Sequence, residues 1–155
     1  MGDIKYLDEV GESKENIIIY LSVFAEKSEI NDVLQIGNKL VGKGFDNLTD
    51  GGFWIWDINN NIEFYSPNFR KSLGFKGEKD FPSIPTSWQS YIDGNCLTIA
   101  ISNFNRAVKS KGKEPYYQEV KYTTKKGEEL NVLCSGMVIN ENNSPKFLVG
   151  THKII

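Results

Sequence analysis

The chain has 155 residues, 39% hydrophobic and 12% aromatic, enough to close one sizeable core and too few for two. A net charge of -2 gives no electrostatic reason to expect nucleic acid or an anionic membrane as partner. The longest apolar run, Ile17 to Leu21, is far short of the roughly 20 residues of a membrane span, and the acidic N-terminus has no signal-peptide pattern, so a cytoplasmic location without membrane insertion is expected.

In the N-terminal third, Ile17, Tyr20, Leu21 and Phe24 share one helical face. After a break at Lys27-Ser28 a second face collects Ile30, Val33, Leu34, Leu40 and Val41. Ser28, with acidic Glu29 and Asp32 behind it, suits the start of the second helix, and Gly42-Lys43-Gly44 its end. Residues 1–45 thus read as an N-terminal helical extension, packed on its own domain's sheet or against a partner.

A first strand runs through Phe53, Trp54, Ile55, Trp56 and Asp57, the polar turn Asn59-Asn60-Asn61 reverses it, and Ile62 to Ser66 returns as a hairpin. Trp56 is expected in the central core. Ser66 as N-cap, Pro67 in the first turn and Gly74 at the end frame a short helix. Beyond an irregular stretch holding Pro82 and Pro85, Trp88, Tyr91 and Ile92 fit an amphipathic turn. The spacing of Leu97, Ala100, Ile101, Phe104 and Val108 predicts a helix from Cys96 to Lys111, capped by Asp93 or Asn95. After Pro115 the period becomes two: Tyr116, Gln118, Val120 and Tyr122 face one way, Tyr117, Glu119 and Lys121 the other. Two further strands follow, one through Leu130, Val132, Cys134, Gly136 and Val138, the other from Lys146 to His152, with a turn from Asn140 to Pro145.

This order of two strands, helices and three strands resembles the PAS family, and within it the subgroup opening on a Trp-x-Trp-Asp strand and closing on a Gly-Thr-His strand. The matching pieces are Trp54 to Asp57, Phe64 to Phe69, Leu73-Gly74-Phe75, Trp88 with Tyr91-Ile92, Lys125 to Glu128, and Gly150-Thr151-His152. They cover about two-thirds of the chain, from Gly51 onward. Two departures stand out: Asp93-Gly94-Asn95 replaces the family's His-Pro-Asp-Asp, and Lys153-Ile154-Ile155 replaces its closing Asp-Ile-Thr. The resemblance implies an α+β fold, a five-stranded antiparallel sheet with helices on one face, over residues 46–155.

Metal, redox and hydrolytic chemistry are thinly supplied. Cys96, Cys134 and His152 lack zinc-ligand spacing, and nothing points to a disulfide. Gly94-Asn95-Cys96 is similar to the start of the motif around the reactive cysteine of the flavin-binding LOV branch, but Leu97-Thr98-Ile99-Ala100 lacks the flavin-contacting residues. Flavin is therefore not expected, and neither is haem, since the long helix carries no histidine. The run Asp57, Asn59, Asn61, Glu63 imitates a calcium loop but has Ile62 where glycine is required and Asn68 where glutamate is; a polar hairpin turn accounts for it. His152, the chain's one histidine, has no nucleophile elbow or phosphate loop to work with and reads as a strand residue facing solvent or a neighbouring helix.

The resemblance also implies a cavity between sheet and helices. Trp54, Trp56, Phe64, Phe69, Phe75, Trp88, Tyr91 and Tyr122 either line it or fill it, since indole and phenol serve both purposes. The ligand-facing candidates are Trp54, Trp56, Phe64, Phe69, Tyr91, Tyr122 and Cys134. The expected function is a non-catalytic signal-transduction module that senses a small ligand or binds a protein, with no bound cofactor. Its effector, such as a histidine kinase, would lie elsewhere. Alternatives are a ligand-free dimerisation domain and a small α+β enzyme. Homodimerisation is expected through Ile17, Tyr20, Leu21 and Phe24, because PAS relatives commonly pair through a helix ahead of the first strand.

Overall fold

Residues 32–155 are described by a computed structural model; Ile17, Tyr20, Leu21, Phe24, Ser28 and Ile30 lie outside the described residues. Helix α1 (Val33–Gly42) starts after Asp32, whose carboxylate accepts the Leu34 N–H at 2.9 Å. Gly44, at φ 89°, opens a 3-10 turn over Phe45–Leu48. Strands β1 (Phe53–Asp57) and β2 (Ile62–Tyr65) form the expected hairpin. At its turn the Asp57 carboxylate accepts both the backbone and side-chain N–H of Asn60, and Asn61 takes a positive φ, as short Asx turns require.

Ser66, Pro67 and Gly74 bound helix α2 (Pro67–Leu73) as their chemistry dictates. The Ser66 hydroxyl accepts N–H groups from Phe69 at 3.3 Å and from Phe53 of β1 at 2.9 Å, tying cap to sheet. Helix α3 (Thr86–Gln89) is a single turn behind Pro85. The long helix α4 (Gly94–Lys109) is capped by Asp93, which receives the N–H groups of Asn95 and Cys96. Its buried stripe is anchored by Ala100 and Ala107, with Leu97, Phe104 and Val108 half-buried beside them. Ile101, expected on that face, is 44% exposed; it lies one turn N-terminal to Phe104 and Asn105, at the rim of a pocket rather than in the core.

Strands β3 (Tyr116–Thr123), β4 (Glu129–Glu141) and β5 (Ser144–Ile154) complete one antiparallel sheet in the order β2-β1-β5-β4-β3. The alternation predicted for β3 is the one observed. The β4–β5 turn is tighter than the expected Asn140 to Pro145. Asn142 and Asn143, both at positive φ, make it alone, the conformation a two-residue hairpin favours because its twist matches the strands. Pairing therefore continues to Glu141 and resumes at Ser144.

The sheet has an apolar cluster on each face. Helices α2, α3 and α4 cover Trp54, Tyr65, Val132, Cys134 and Leu148, whereas α1 covers Phe53, Ile55, Phe64, Phe147 and Val149 with Val33, Ile36 and Leu40. Gly37 lets α1 descend onto the Phe64 ring, which a Cβ there would overlap. This corrects the placement of Phe64, whose ring points away from the α2–α4 face. Strand alternation leaves no choice: with Tyr65 and Glu63 directed toward the helices, Phe64 must face the other way. Among the described residues no helix is long and apolar enough to cross a membrane.

Candidate functional site

A pocket of about 210 Å³ opens at the β2 edge of the sheet between α3 and α4. Its walls are Trp54 and Trp56 from β1, Glu63 from β2, Pro85, Trp88 and Gln89 from α3 and its approach, and Ile101, Phe104 and Asn105 from α4. Phe104 is the hub of the aromatic set. Trp54 and Trp88 each meet it edge-on with centroids 5.8 Å away, and Trp56 lies 6.3 Å away at a tilt. Tyr116 stacks behind it at 4.2 Å. Perpendicular and offset contacts are those that ring quadrupoles favour.

Glycine sets the depth of the pocket wall. Trp54, Gly150 and Gly136 lie in one row across β1, β5 and β4. A Cβ on Gly150 would overlap the Trp54 indole, and one on Gly136 would come within 3.2 Å of it. The glycine of Gly150-Thr151-His152 is thus the space that lets this indole lie along the sheet.

Glu63 is the pocket's acid, and it is 4% exposed. Its Oε1 accepts the Trp88 indole N–H at 3.1 Å, and its backbone N–H donates to the Ser83 carbonyl at 2.9 Å. The loop before α3 thereby covers the edge strand β2. Arg70 fixes that loop, donating to the carbonyls of Phe81 at 2.8 Å and Tyr65 at 3.2 Å. Tyr65 donates its hydroxyl to the Ile84 carbonyl at 2.7 Å. Loss of water pushes the Glu63 carboxyl up to about 8, against which the Trp88 hydrogen bond and the neighbouring Tyr65 hydroxyl act only in part. Burial likewise raises Tyr65 and Tyr122.

The seven sequence candidates separate in space. Trp54 and Trp56 line the open pocket. Phe69, Tyr122 and Cys134 border an inner void of about 10 Å³ together with Trp54, Glu63 and His152, room for about one water at most. The space around these three side chains is therefore packed, and the pocket at the sheet edge is the larger of the two. Tyr91 touches neither space; its ring meets Phe75 at 4.9 Å and Phe81 at 6.2 Å. Phe64 lies across the sheet, as described. Trp56, expected in the central core, is only half-buried, and its indole N–H reaches Asn61 at 3.1 Å. His152 is buried, with its ring 4.7 Å from that of Phe69 on α2. Cys96 is half-buried at the start of α4 and lines neither space.

Sequence reasoning named only Trp54 and Trp56 of the nine lining residues as ligand-facing, placed Trp88 in the wider aromatic set, and missed Glu63, Pro85, Gln89, Ile101, Phe104 and Asn105. A signal for Glu63 was available: in the β1–β2 hairpin Trp56 pairs with Glu63 and Trp54 with Tyr65. If both tryptophans face the helices, the glutamate must face them too.

A single antiparallel sheet carrying helices, with a pocket opening sideways between its first hairpin and its longest helix, defines an α+β sheet-and-helix domain. The model of the PAS fold matches residues 62–152, more than half of the chain, and the chain belongs to that family. No curated protein sequence matches it. Solved structures share the fold at low identity. A sensory box histidine kinase/response regulator from Burkholderia thailandensis aligns with TM-score 0.57 and 18% identity, over 76% of this chain and 83% of that one. A PAS domain of a protein from Colwellia psychrerythraea aligns with TM-score 0.57 and 17% identity, over 76% and 96%. The N-terminal domain of a diguanylate cyclase with a PAS/PAC sensor from Marinobacter aquaeolei gives TM-score 0.58 and 9% identity, over 66% and 92%.

Proposed function

We propose that this domain is a non-catalytic sensory module that binds a small ligand in the pocket between β1, β2, α3 and α4 and relays occupancy to an effector. The observation that carries this reading is the convergence of four aromatic rings and one buried carboxyl on about 210 Å³ of open volume, beside an inner void of only about 10 Å³. Concave, mostly apolar sites with a few placed polar groups are what small ligands use. Neighbours of similar fold carry the names of a sensory histidine kinase and a diguanylate cyclase sensor, which supports a signalling role. The ligand is colourless in this reading, because Cys96 lines neither space and α4 offers no histidine to iron.

Native mass spectrometry of the purified chain tests it. A small molecule is expected on the wild type, retained or taken from a metabolite mixture, and it should be lost in Ile101→Trp, which fills the rim. A wild-type chain that carries nothing and takes nothing from the mixture argues for a domain that works by protein contact alone.

A further inference from the structure

We propose that the pocket recognises a small organic cation, an alkylammonium head group seated among Trp54, Trp56, Trp88 and Phe104 against the Glu63 carboxylate. This names the ligand class for the sensory pocket proposed above and rests on that reading.

Charge is the first argument. Glu63 is the one ionisable side chain among the nine that line the pocket; the others are aromatic, aliphatic, proline or primary amide. The pocket can therefore become negative and never positive, which disfavours an anionic ligand. The second argument is hydrogen bonding. The carboxyl receives the Trp88 indole N–H at 3.1 Å and has the Tyr65 hydroxyl beside it, although a carboxylate has room for about four donors. A buried carboxylate without a cationic partner is costly, and a ligand cation would supply one. Ring chemistry is the third. Three indoles and a phenyl surround the volume, and the negative faces of such rings attract cations, indole most strongly. Size is the fourth: about 210 Å³ somewhat exceeds the ~150 Å³ apolar cavity that takes benzene in an engineered interior, which suits a compact trialkylammonium group.

Binding should be coupled to proton release. Burial holds the empty carboxyl near 8, so at neutral pH it is mostly protonated, and a cation binds to the ionised form. Other titratable groups facing Glu63 are Tyr65 beside it on β2 and Tyr116, Tyr122, Cys134 and His152 around the inner void. The α3 and α4 residues that line the pocket with it are uncharged.

Titration calorimetry with choline and with its neutral isostere 3,3-dimethylbutan-1-ol, at pH 6 and pH 8, decides the matter. Choline is expected to bind about fifty-fold more tightly at pH 8 than at pH 6, the ratio set by ionising a group of pKa near 8, and to release a proton at pH 6. The alcohol should bind at least tenfold more weakly at pH 8. Glu63→Gln, which keeps an acceptor for Trp88, should weaken choline and erase the pH dependence, and Trp56→Leu at the half-buried wall should weaken choline as well. Equal binding of alcohol and choline overturns the cation and leaves the pocket standing. A pH dependence that survives in Glu63→Gln also overturns the proposal, by assigning the proton to another group such as His152. If neither probe binds the cation fails, and if mass spectrometry also finds an empty chain the sensory pocket fails with it.

Discussion

Folding strips the Glu63 side chain of nearly all its water, and its carboxyl rises from an ordinary 4.5 to about 8. The folded state then holds this proton more tightly than the unfolded chain does. Its contribution to stability is fully present below about pH 4.5 and is lost as the pH rises through about 8. The domain should therefore lose stability across this window, by up to about 1.4 kcal/mol per pH unit. Glu63→Gln should flatten the slope. Urea midpoints at pH 5, 6.5 and 8 check this, and parallel curves for the two proteins would contradict it. Two residues away from each other, Trp54 and Trp56 should also differ. Trp54, 3% exposed, should cost about 3–5 kcal/mol on truncation to alanine, whereas half-buried Trp56 should cost under about 2 kcal/mol, since part of its ring is already in water. Gly150→Ala should cost about 3 kcal/mol, the upper end for an added core methyl, because that methyl overlaps the Trp54 indole and also meets the Ser135 backbone carbonyl at 2.7 Å. A smaller loss for Trp54 than for Trp56 would invert the pocket as described.

Among the elements, the junction of β1, β2 and α2 depends on one hydroxyl. Ser66→Ala leaves the N–H groups of Phe53 and Phe69 without their acceptor in a buried site, which should cost about 2–4 kcal/mol; Ser66→Thr, if its methyl fits, should recover most of it in the same denaturation assay. This cap was legible in the sequence because capping is local: Ser, Pro and Gly at fixed offsets specify a helix whatever surrounds it. The period of β3 was legible for the same reason. The extent of β5 was not, since a two-residue Asn-Asn turn and a longer polar loop share one composition, and only the positive φ of Asn142 and Asn143 separates them. Nor was the fate of each aromatic ring. Phe64 and Tyr65 have the same propensity, and which of them meets the helices depends on register. Ile101 shows the limit from the helical side: its spacing fits the buried stripe, yet α4 stands far enough from α3 there to leave open volume instead of a partner.

At the scale of the whole molecule, one sheet serves two apolar clusters, and neither can come apart without the other losing its floor. Leu40, fully buried on the α1 side, should upon change to alanine cost about 2–5 kcal/mol and lower the melting of the entire domain. Calorimetry should show a single transition with matching van't Hoff and calorimetric enthalpies. Two resolved transitions would mean that α1 unfolds on its own. The three tryptophans of the sequence are Trp54, Trp56 and Trp88, and all of them stand in the wall of one pocket. The indole emission of this protein is consequently a purely local light source: intensity and colour report the polarity and filling of that space, so the chain carries its own optical gauge of occupancy and needs no attached dye.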